Sequence, residues 1–411
     1  MRLLLFSDFA PTEENYNGPS AFCYHLLKEL QKEHDVRIVT TNANKVPDRI
    51  LQNSIKAFCG NYFVHPRNLW MKLLVSRKTG MFFSIFYNKH LPYISRYIIS
   101  KKVLCNINRF SPDVILIYPN HLLYVCKQLS NYRIISLGPD CSSLNNLRAL
   151  KDTYVYDSNN YRAWLKSLSK QIYLERELSK VVYKTCLVGI EDSILFNIIT
   201  GTRKSIFLPH PHYKLVDKNI NFQKPQLKIL ISGTYNISTY SDTNKFIESF
   251  LENPEILNKY SLTFLGKGWD EIMPKLSNLN NVNVIKWVDD YAEEIKKYDI
   301  QIFPISYGVG TKGKVLDALA MGLLCIGSYY AFENIAVKNG ENCIIYNEVH
   351  DVIKILETIG SNVNKYEIIT VLGKQSVRRY HSPKLCAEYL MNVIKGKNIN
   401  VGDVYYSEKK I

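Results

Sequence analysis

The sequence predicts an α/β protein made of two doubly wound, Rossmann-like domains that face a central cleft. Three observations carry that expectation. The chain has 411 residues, too many for one ordinary hydrophobic core. Short, unbroken apolar runs alternate with amphipathic stretches, the pattern of parallel strands covered by helices on both faces. The alternation stops once, near residues 205–226, and then restarts.

Taken in order, "RLLLFSDF" reads as a buried first strand; its apolar run is too short for a signal peptide. "GPSAFCYHLLKELQKEH" follows as an amphipathic helix with Phe22, Leu26, Leu27 and Leu30 on one face. "DVRIVTT", "DVILIYP", "RIISLGP" and "TCLVGI" are further strands, each ending in turn chemistry. The segment "SIFLPHPHYKLVDKNINFQKPQ" has three prolines and no periodicity, and reads as the linker. "LKILISG", "SLTFLGKG", "VNVIKWV", "IQIFPIS" and "LLCIGS" are the strands of the second half. "SPKLCAEYLMNVIKGK" is a terminal helix. The expected boundaries are 1–208 for the first domain, 209–226 for the linker and 227–375 for the second domain. Residues 376–396 form a helix returning toward the first domain, and 397–411 a tail. In such sheets ligands bind beyond the carboxyl ends of the strands.

The composition, 46% hydrophobic and 22% charged, is that of a folded globular protein. Nine scattered cysteines, with no C-x-x-C pair, argue against a disulfide framework or a zinc site and for a reducing cytoplasm. No run of 18 uncharged apolar residues is present to span a membrane. The net charge of +15 calls for an anionic partner. Between Arg49 and Arg109 lie eleven Lys or Arg residues and no Asp or Glu, so one stretch supplies most of the excess.

The stretch "ISYGVGTKGKVLDALAMG" (305–322) has three readings. As a P-loop it lacks the hydroxyl that must follow the lysine to hold magnesium, because Val315 stands there. As a dinucleotide fingerprint it lacks an acidic residue at the end of the next strand, the nearest being Glu333. The third reading is a glycine turn opening a helix that receives a diphosphate. Lys312 and Lys314 in a first helical turn face the positive end of the dipole, which is unfavourable unless an anion is present. Asp317 lies one turn deeper on the face of Lys314, where it can accept bonds from two ribose hydroxyls or form a plain ion pair with the lysine.

At this point a resemblance emerges. "YGVGTKGKVLDALAMGLLCIGS" resembles the donor-site segment of family 4 glycosyltransferases of the bacterial surface-glycan type, retaining enzymes with the GT-B fold. "KILISGTYN", "LTFLGKGWDE", "VNVIKWVDDYAEEIKKYDIQIFP", "NGENCIIY" and "VRRYHSPKLCAEYLMNVI" are similar to that family in the same order, and "NGPSAFCYHLLKELQKEHDVRIVTT" resembles its N-terminal glycine turn and helix. The similarity is strong from about 227 to 395 and looser before. It implies that Asp317 is the second carboxylate of the family's E-x7-E motif, the ribose ligand. The first falls on Val309, as in members with a G-x-G-T-x-x-K variant, and the backbone N–H groups of Gly310 and Thr311 substitute for it. The family's Arg and Lys after the first strand of the second domain are missing, so Lys312 and Lys314 take over the phosphate charge. The turn Gly233–Thr234 is counted with the donor site. Gly18 either lets its loop approach the diphosphate or is an ordinary turn. Pro139 stands where the family often carries a histidine. Asp140 beside it either steers or deprotonates an acceptor hydroxyl or caps the next helix. Trp287 either stacks near the base or belongs to the core. His210 and His212 in the linker read as structural.

The resemblance also implies metal-independent transfer, in which N–H groups and lysines, Lys314 above all, stabilise the leaving nucleoside diphosphate. No D-x-D motif is evident and no cofactor is expected, the UDP- or GDP-sugar being a substrate. In residues 67–103 the basic side chains Lys72, Arg77, Lys78, Arg96, Lys101 and Lys102 mix with Trp70, Phe82, Phe83, Phe86 and Tyr97. That mixture suits an anionic membrane surface. Nucleic acid and an ordinary domain face are its rivals, and the glycosyltransferase resemblance favours the membrane. The combined expectation is a cytoplasmic enzyme, peripheral at the inner membrane face, moving a hexose-type sugar to a glycan or lipid-linked acceptor. The rivals are a nucleotide-sugar epimerase of the same fold and a catalytically idle scaffold.

Overall fold

The computed structural model describes residues 1–16, 20–85, 87–152, 155, 160–212, 218–277 and 279–397. The chain forms two units. Unit 1 comprises Met1–Asn146, Ala163–Pro211 and the C-terminal helix Pro383–Ile394; unit 2 comprises Leu147–Arg162 and His212–Ser382.

Unit 1 carries a seven-stranded parallel sheet in the order β3-β2-β1-β4-β5-β6-β7. Its strands are β1 (Arg2–Ser7), β2 (Asp35–Thr40), β3 (Tyr62–Val64), β4 (Val114–Tyr118), β5 (Ile134–Leu137), β6 (Lys184–Leu187) and β7 (Ser205–Phe207). Successive side chains of β1 point to opposite faces, and both faces are buried. Leu3 and Leu5 pack with Phe22, Leu26 and Leu27 of the helix Ala21–Leu30 and with Cys386 and Leu390 of Pro383–Ile394. Leu4 and Phe6 pack with Val103 and Ile107 of Lys101–Phe110 and with Leu174 and Leu178 of Tyr161–Val181. That is why the first strand is a continuous apolar run.

Unit 2 carries a six-stranded parallel sheet in the order β10-β9-β8-β11-β12-β13. Its strands are β8 (Leu227–Ser232), β9 (Tyr260–Leu265), β10 (Val282–Ile285), β11 (Ile300–Phe303), β12 (Leu324–Gly327) and β13 (Ile344–Ile345). Ile229, Ile231, Leu262, Phe264, Ile302 and Ile326 share one core. The strand order reverses between β8 and β11, so the loops after these two strands flank the crevice where doubly wound sheets bind ligands. Unit 1 has the same switch point between β1 and β4. Both units are Rossmann-like, as the strand pattern predicts.

Candidate functional site

At the switch point of unit 2 the glycine loop follows β11. Gly310 adopts φ +61°, a left-handed conformation that favours glycine. The backbone N–H of Ser306 donates to the Ser238 carbonyl at 3.0 Å, tying this loop to the one after β8. The helix Gly313–Ala320 then begins, with Lys312 at its N-cap. The Lys312 ammonium folds back to donate to the carbonyls of Val309 at 2.6 Å and Gly310 at 3.3 Å.

Lys314 reaches Ser232 rather than Asp317, its Nζ donating to the Ser232 carbonyl at 3.1 Å. Two glycines make the approach possible. A Cβ on Gly233, which sits at φ +117°, would lie 2.9 Å from Lys314 Nζ; a Cβ on Gly266 would lie 2.0 Å from the Gly233 carbonyl oxygen. The same carbonyl accepts the Trp269 indole N–H at 2.8 Å. Burial, and then the neighbouring Lys312 charge, pull the Lys314 ammonium down to about 8. An ammonium held there against a neutral carbonyl has no charge of opposite sign in that bond. Thr234 is exposed on the same turn.

Asp317 is one-third exposed, with Oδ1 3.7 Å from Nδ1 of His212, a buried residue of unit 2. The Tyr291 hydroxyl is 2.7 Å from Ser232 Oγ, which also accepts Gln301 Nε2 at 2.7 Å. Burial, and then Asp317, push the Tyr291 phenol up. Lys314, Gly233, Asp317 and Tyr291 therefore share one locus. The other side of the glycine loop is fastened by Arg148. Its guanidinium donates to the Gly308 carbonyl at 2.5 Å and bidentately to Glu333 at 2.5 and 2.7 Å, a carboxylate only 1% exposed. Asn334 Nδ2 donates to the Gly310 carbonyl at 3.0 Å, and Thr311 Oγ1 lies 3.5 Å from the Asn334 carbonyl.

The remaining sequence-predicted residues lie elsewhere. Trp287 is 69% exposed, not in the core, with Lys267 Nζ 5.9 Å from its ring. Gly18 lies outside the described residues. Asp140 is half-buried after β5 in unit 1, its carbonyl accepting from Asn120 at 3.4 Å. The N–H groups at the start of the following helix are taken by other carboxylates: Cys141 donates to Asp192 at 2.6 Å and Ser143 to Glu175 at 3.2 Å. Of the expected membrane cations, Lys72, Arg77, Lys78, Lys101 and Lys102 are exposed. Arg96 is not: it is fully buried, donates to the Gly80 carbonyl at 2.6 Å and lies over the rings of Tyr93 and Tyr87. Its aromatic neighbours make it a structural bolt. Phe86 lies outside the described residues. Among the described residues no three His, Cys, Asp or Glu side chains gather as metal ligands, and no helix is long and apolar enough to cross a membrane.

Sequence reasoning missed Arg148, whose partner is 185 residues away, and took His212 as structural. It also missed a cluster in unit 1. Asp8, just past β1 and 1% exposed at its side chain, accepts from His121 Nε2 at 2.8 Å, from Thr41 Oγ1 at 2.5 Å and from Arg67. Burial alone would raise its carboxyl; the bond and charge of His121 and the charge of Arg67 outweigh it and hold it at about 2. The only sequence signal was position, a lone carboxylate at the carboxyl end of the predicted first strand.

Residues 229–362 match the family described as Glycosyl transferases group 1. The whole chain has the architecture of solved GT-B structures. The Anabaena protein HepE (Alr3699), solved with UDP, is 11% identical with a TM-score of 0.65, over 96% of this chain and 100% of that one. Sucrose-phosphate synthase from Thermosynechococcus elongatus is 10% identical with a TM-score of 0.64, over 96% and 98%. The lipopolysaccharide outer core galactosyltransferase WaaB is 11% identical with a TM-score of 0.60, over 96% and 99%. Comparison with curated protein sequences finds no match. The family match and the fold together support a glycosyltransferase of the GT-B fold.

Proposed function

We propose that this chain transfers a hexose-type sugar from a nucleotide-sugar donor to a glycan or lipid-linked acceptor in surface polysaccharide or glycoconjugate synthesis. The observation that carries the reading is the Lys314 ammonium, held against the Ser232 carbonyl beside Gly233 with Lys312 nearby. A donor diphosphate in that crevice would accept from Lys314 and from the N–H groups at the start of Gly313–Ala320, and Asp317 would accept from the ribose hydroxyls. As the phosphate–sugar bond breaks, negative charge grows on the leaving diphosphate, where these donors already stand. This needs no metal. By resemblance, transfer proceeds with retention of the anomeric configuration. The donor is a UDP- or GDP-sugar.

The test is thermal shift with UDP, GDP, ADP, dTDP and CMP and their sugars, without metal. Stabilisation by one nucleotide series establishes the donor site; silence across the panel returns the glycine loop to a structural turn. Val309 at the sugar-facing position keeps an idle scaffold as the second reading, and binding without turnover would identify it. Conversion of a UDP-sugar with no acceptor present would identify an epimerase instead.

We further propose that unit 1 docks on the anionic inner face of a membrane, as a cytoplasmic peripheral protein, rather than on nucleic acid. Leu69, Trp70, Met81 and Phe82 are 74%, 57%, 61% and 73% exposed. The exposed Lys72, Arg77 and Lys78 lie between them in the chain, and Trp70 and Phe83 hold the two segments together ring to ring at 5.1 Å. Apolar prongs with a cationic collar suit a headgroup layer, each cation near the surface being worth about 1 kcal/mol. The chain should float with acidic liposomes and not with neutral ones. Failure to float at low salt would remove the membrane from this reading.

A further inference from the structure

The cluster around Asp8 has a consequence for the acceptor. Asp8 follows β1 and His121 follows β4, and these are the two strands between which the order of the unit 1 sheet reverses. A ligand of this sheet therefore meets these residues first. Asp8 is held rigidly: its N–H donates to the Tyr118 carbonyl at 2.9 Å and its carbonyl accepts from Ala43 N at 2.8 Å. The His121 bond and charge, and then the Arg67 charge, anchored over the Tyr97 ring, keep its carboxyl ionised.

An ionised carboxylate only accepts hydrogen bonds, so the imidazole nitrogen facing it must carry the hydrogen. That nitrogen is Nε2. In the neutral ring the lone pair is then on Nδ1, and no other group among the described residues hydrogen-bonds the imidazole. The His121 side chain is 19% exposed, whereas Asp8 and Arg67 are 1% and 10% exposed, so the imidazole is the member of the cluster that a ligand reaches. Because Arg67 is taken up by Asp8, the site offers the ring's Nδ1, a hydrogen-bond acceptor in the neutral imidazole, and not a free guanidinium. It therefore fits a hydroxyl, not a phosphate.

We propose that His121 is a substrate-contacting residue, whose Nδ1 lone pair takes the hydrogen bond of an acceptor sugar hydroxyl in the crevice between β1 and β4, and that the Asp8 carboxylate holds the ring in the required tautomer. The proposal rests on the glycosyltransferase reading and deepens it by assigning the acceptor contact. Asp8 acts through His121 and is a positioning residue.

Two measurements on the full chain test it. With 15N-labelled histidine, the His121 ring should show hydrogen on Nε2, and its Nδ1 resonance should move on titration with a panel of octyl glycosides. Hydrogen on Nδ1 in the free protein, or an unmoved Nδ1 across the panel, overturns the proposal. In transfer from the nucleotide-sugar selected by thermal shift to an octyl glycoside, His121→Ala should lower kcat/KM for the acceptor about tenfold to a hundredfold, the range for losing one hydrogen bond. Nucleotide stabilisation should stay as in the wild type. His121→Gln, whose amide oxygen also accepts a hydroxyl, should recover part of the rate that His121→Ala loses. Unchanged acceptor kinetics in His121→Ala, or loss of nucleotide stabilisation with it, would sink the assignment. Absence of nucleotide stabilisation in the wild type itself would count against the donor site instead.

Discussion

Two switch points in one chain are furnished with opposite charge logic. In unit 2 the crevice between β8 and β11 holds a cation bonded to a neutral group: Lys314 is packed against a carbonyl, with a second lysine beside it. In unit 1 the crevice between β1 and β4 holds a carboxylate with three side-chain partners, Arg67, His121 and Thr41. The first arrangement is the one that the proposed donor diphosphate would complete. The second pairs its carboxylate at rest, and the His121 ring is its most exposed member. The difference teaches that a shared parallel-sheet frame fixes where a ligand sits, while a few side chains at the strand ends decide its charge.

The comparison can be broken most forcefully at Asp8. Asp8→Ala leaves Arg67 buried without its carboxylate and should cost about 3 kcal/mol of stability in urea denaturation, the range for breaking a buried pair. The pH dependence has a definite sign. A carboxyl held at about 2, against an ordinary 3.8, contributes stability that is complete above 3.8 and lost as pH falls toward 2. In Asp8→Ala that acid limb should shrink. An acid limb and stability identical to the wild type would show that the cluster is not an ion pair in solution.

Lys314→Met should go the other way. Nucleotide affinity should fall by about 2 kcal/mol, or some thirtyfold, the value of hydrogen bonds to a charged group. The ligand-free protein should become no less stable, because a buried ammonium is removed. In the wild type the folded pKa of about 8 lies below the ordinary 10.5, so the charged lysine penalises folding below pH 8, and stability rises as pH climbs from 8 to 10.5. Nucleotide affinity should fall over the same interval, and both slopes should flatten in Lys314→Met. A variant that binds as the wild type does would make the lysine structural.

Asp317→Ala is the smallest and most selective change. It should weaken UDP or GDP about tenfold in calorimetry and leave inorganic pyrophosphate unaffected, since the proposed role of the carboxylate is to bind the ribose. Equal loss for both ligands would place Asp317 at the phosphates and move the ribose elsewhere.

Much of the frame was legible. Ten of the strands were visible as apolar runs because a strand buried on both faces has no polar alternation to hide it. The strands that escaped, β3, β7 and β13, are two or three residues long and lie away from the sheet centres, too short for any period to register. The helix after the glycine loop begins at Gly313, where two lysines facing a helix start had pointed. Arg96 shows the limit of charge counting. It belongs to the basic stretch in sequence, yet three nearby groups, the Gly80 carbonyl and two tyrosine rings, draw it inside.

What the sequence determined by itself was periodic or local: two rounds of strand and helix, a glycine turn that admits left-handed backbone, and lysines set at the positive end of a helix. These follow from steric and dipolar rules that act within a few residues. What the tertiary structure decided was which distant groups share a dielectric. Lys314 meets Ser232 across 82 positions, Asp8 meets Arg67 and His121 across 59 and 113, and Arg148 meets Glu333 across 185. Burial sets the ionisation of each, and burial is a property of packing that no single segment carries.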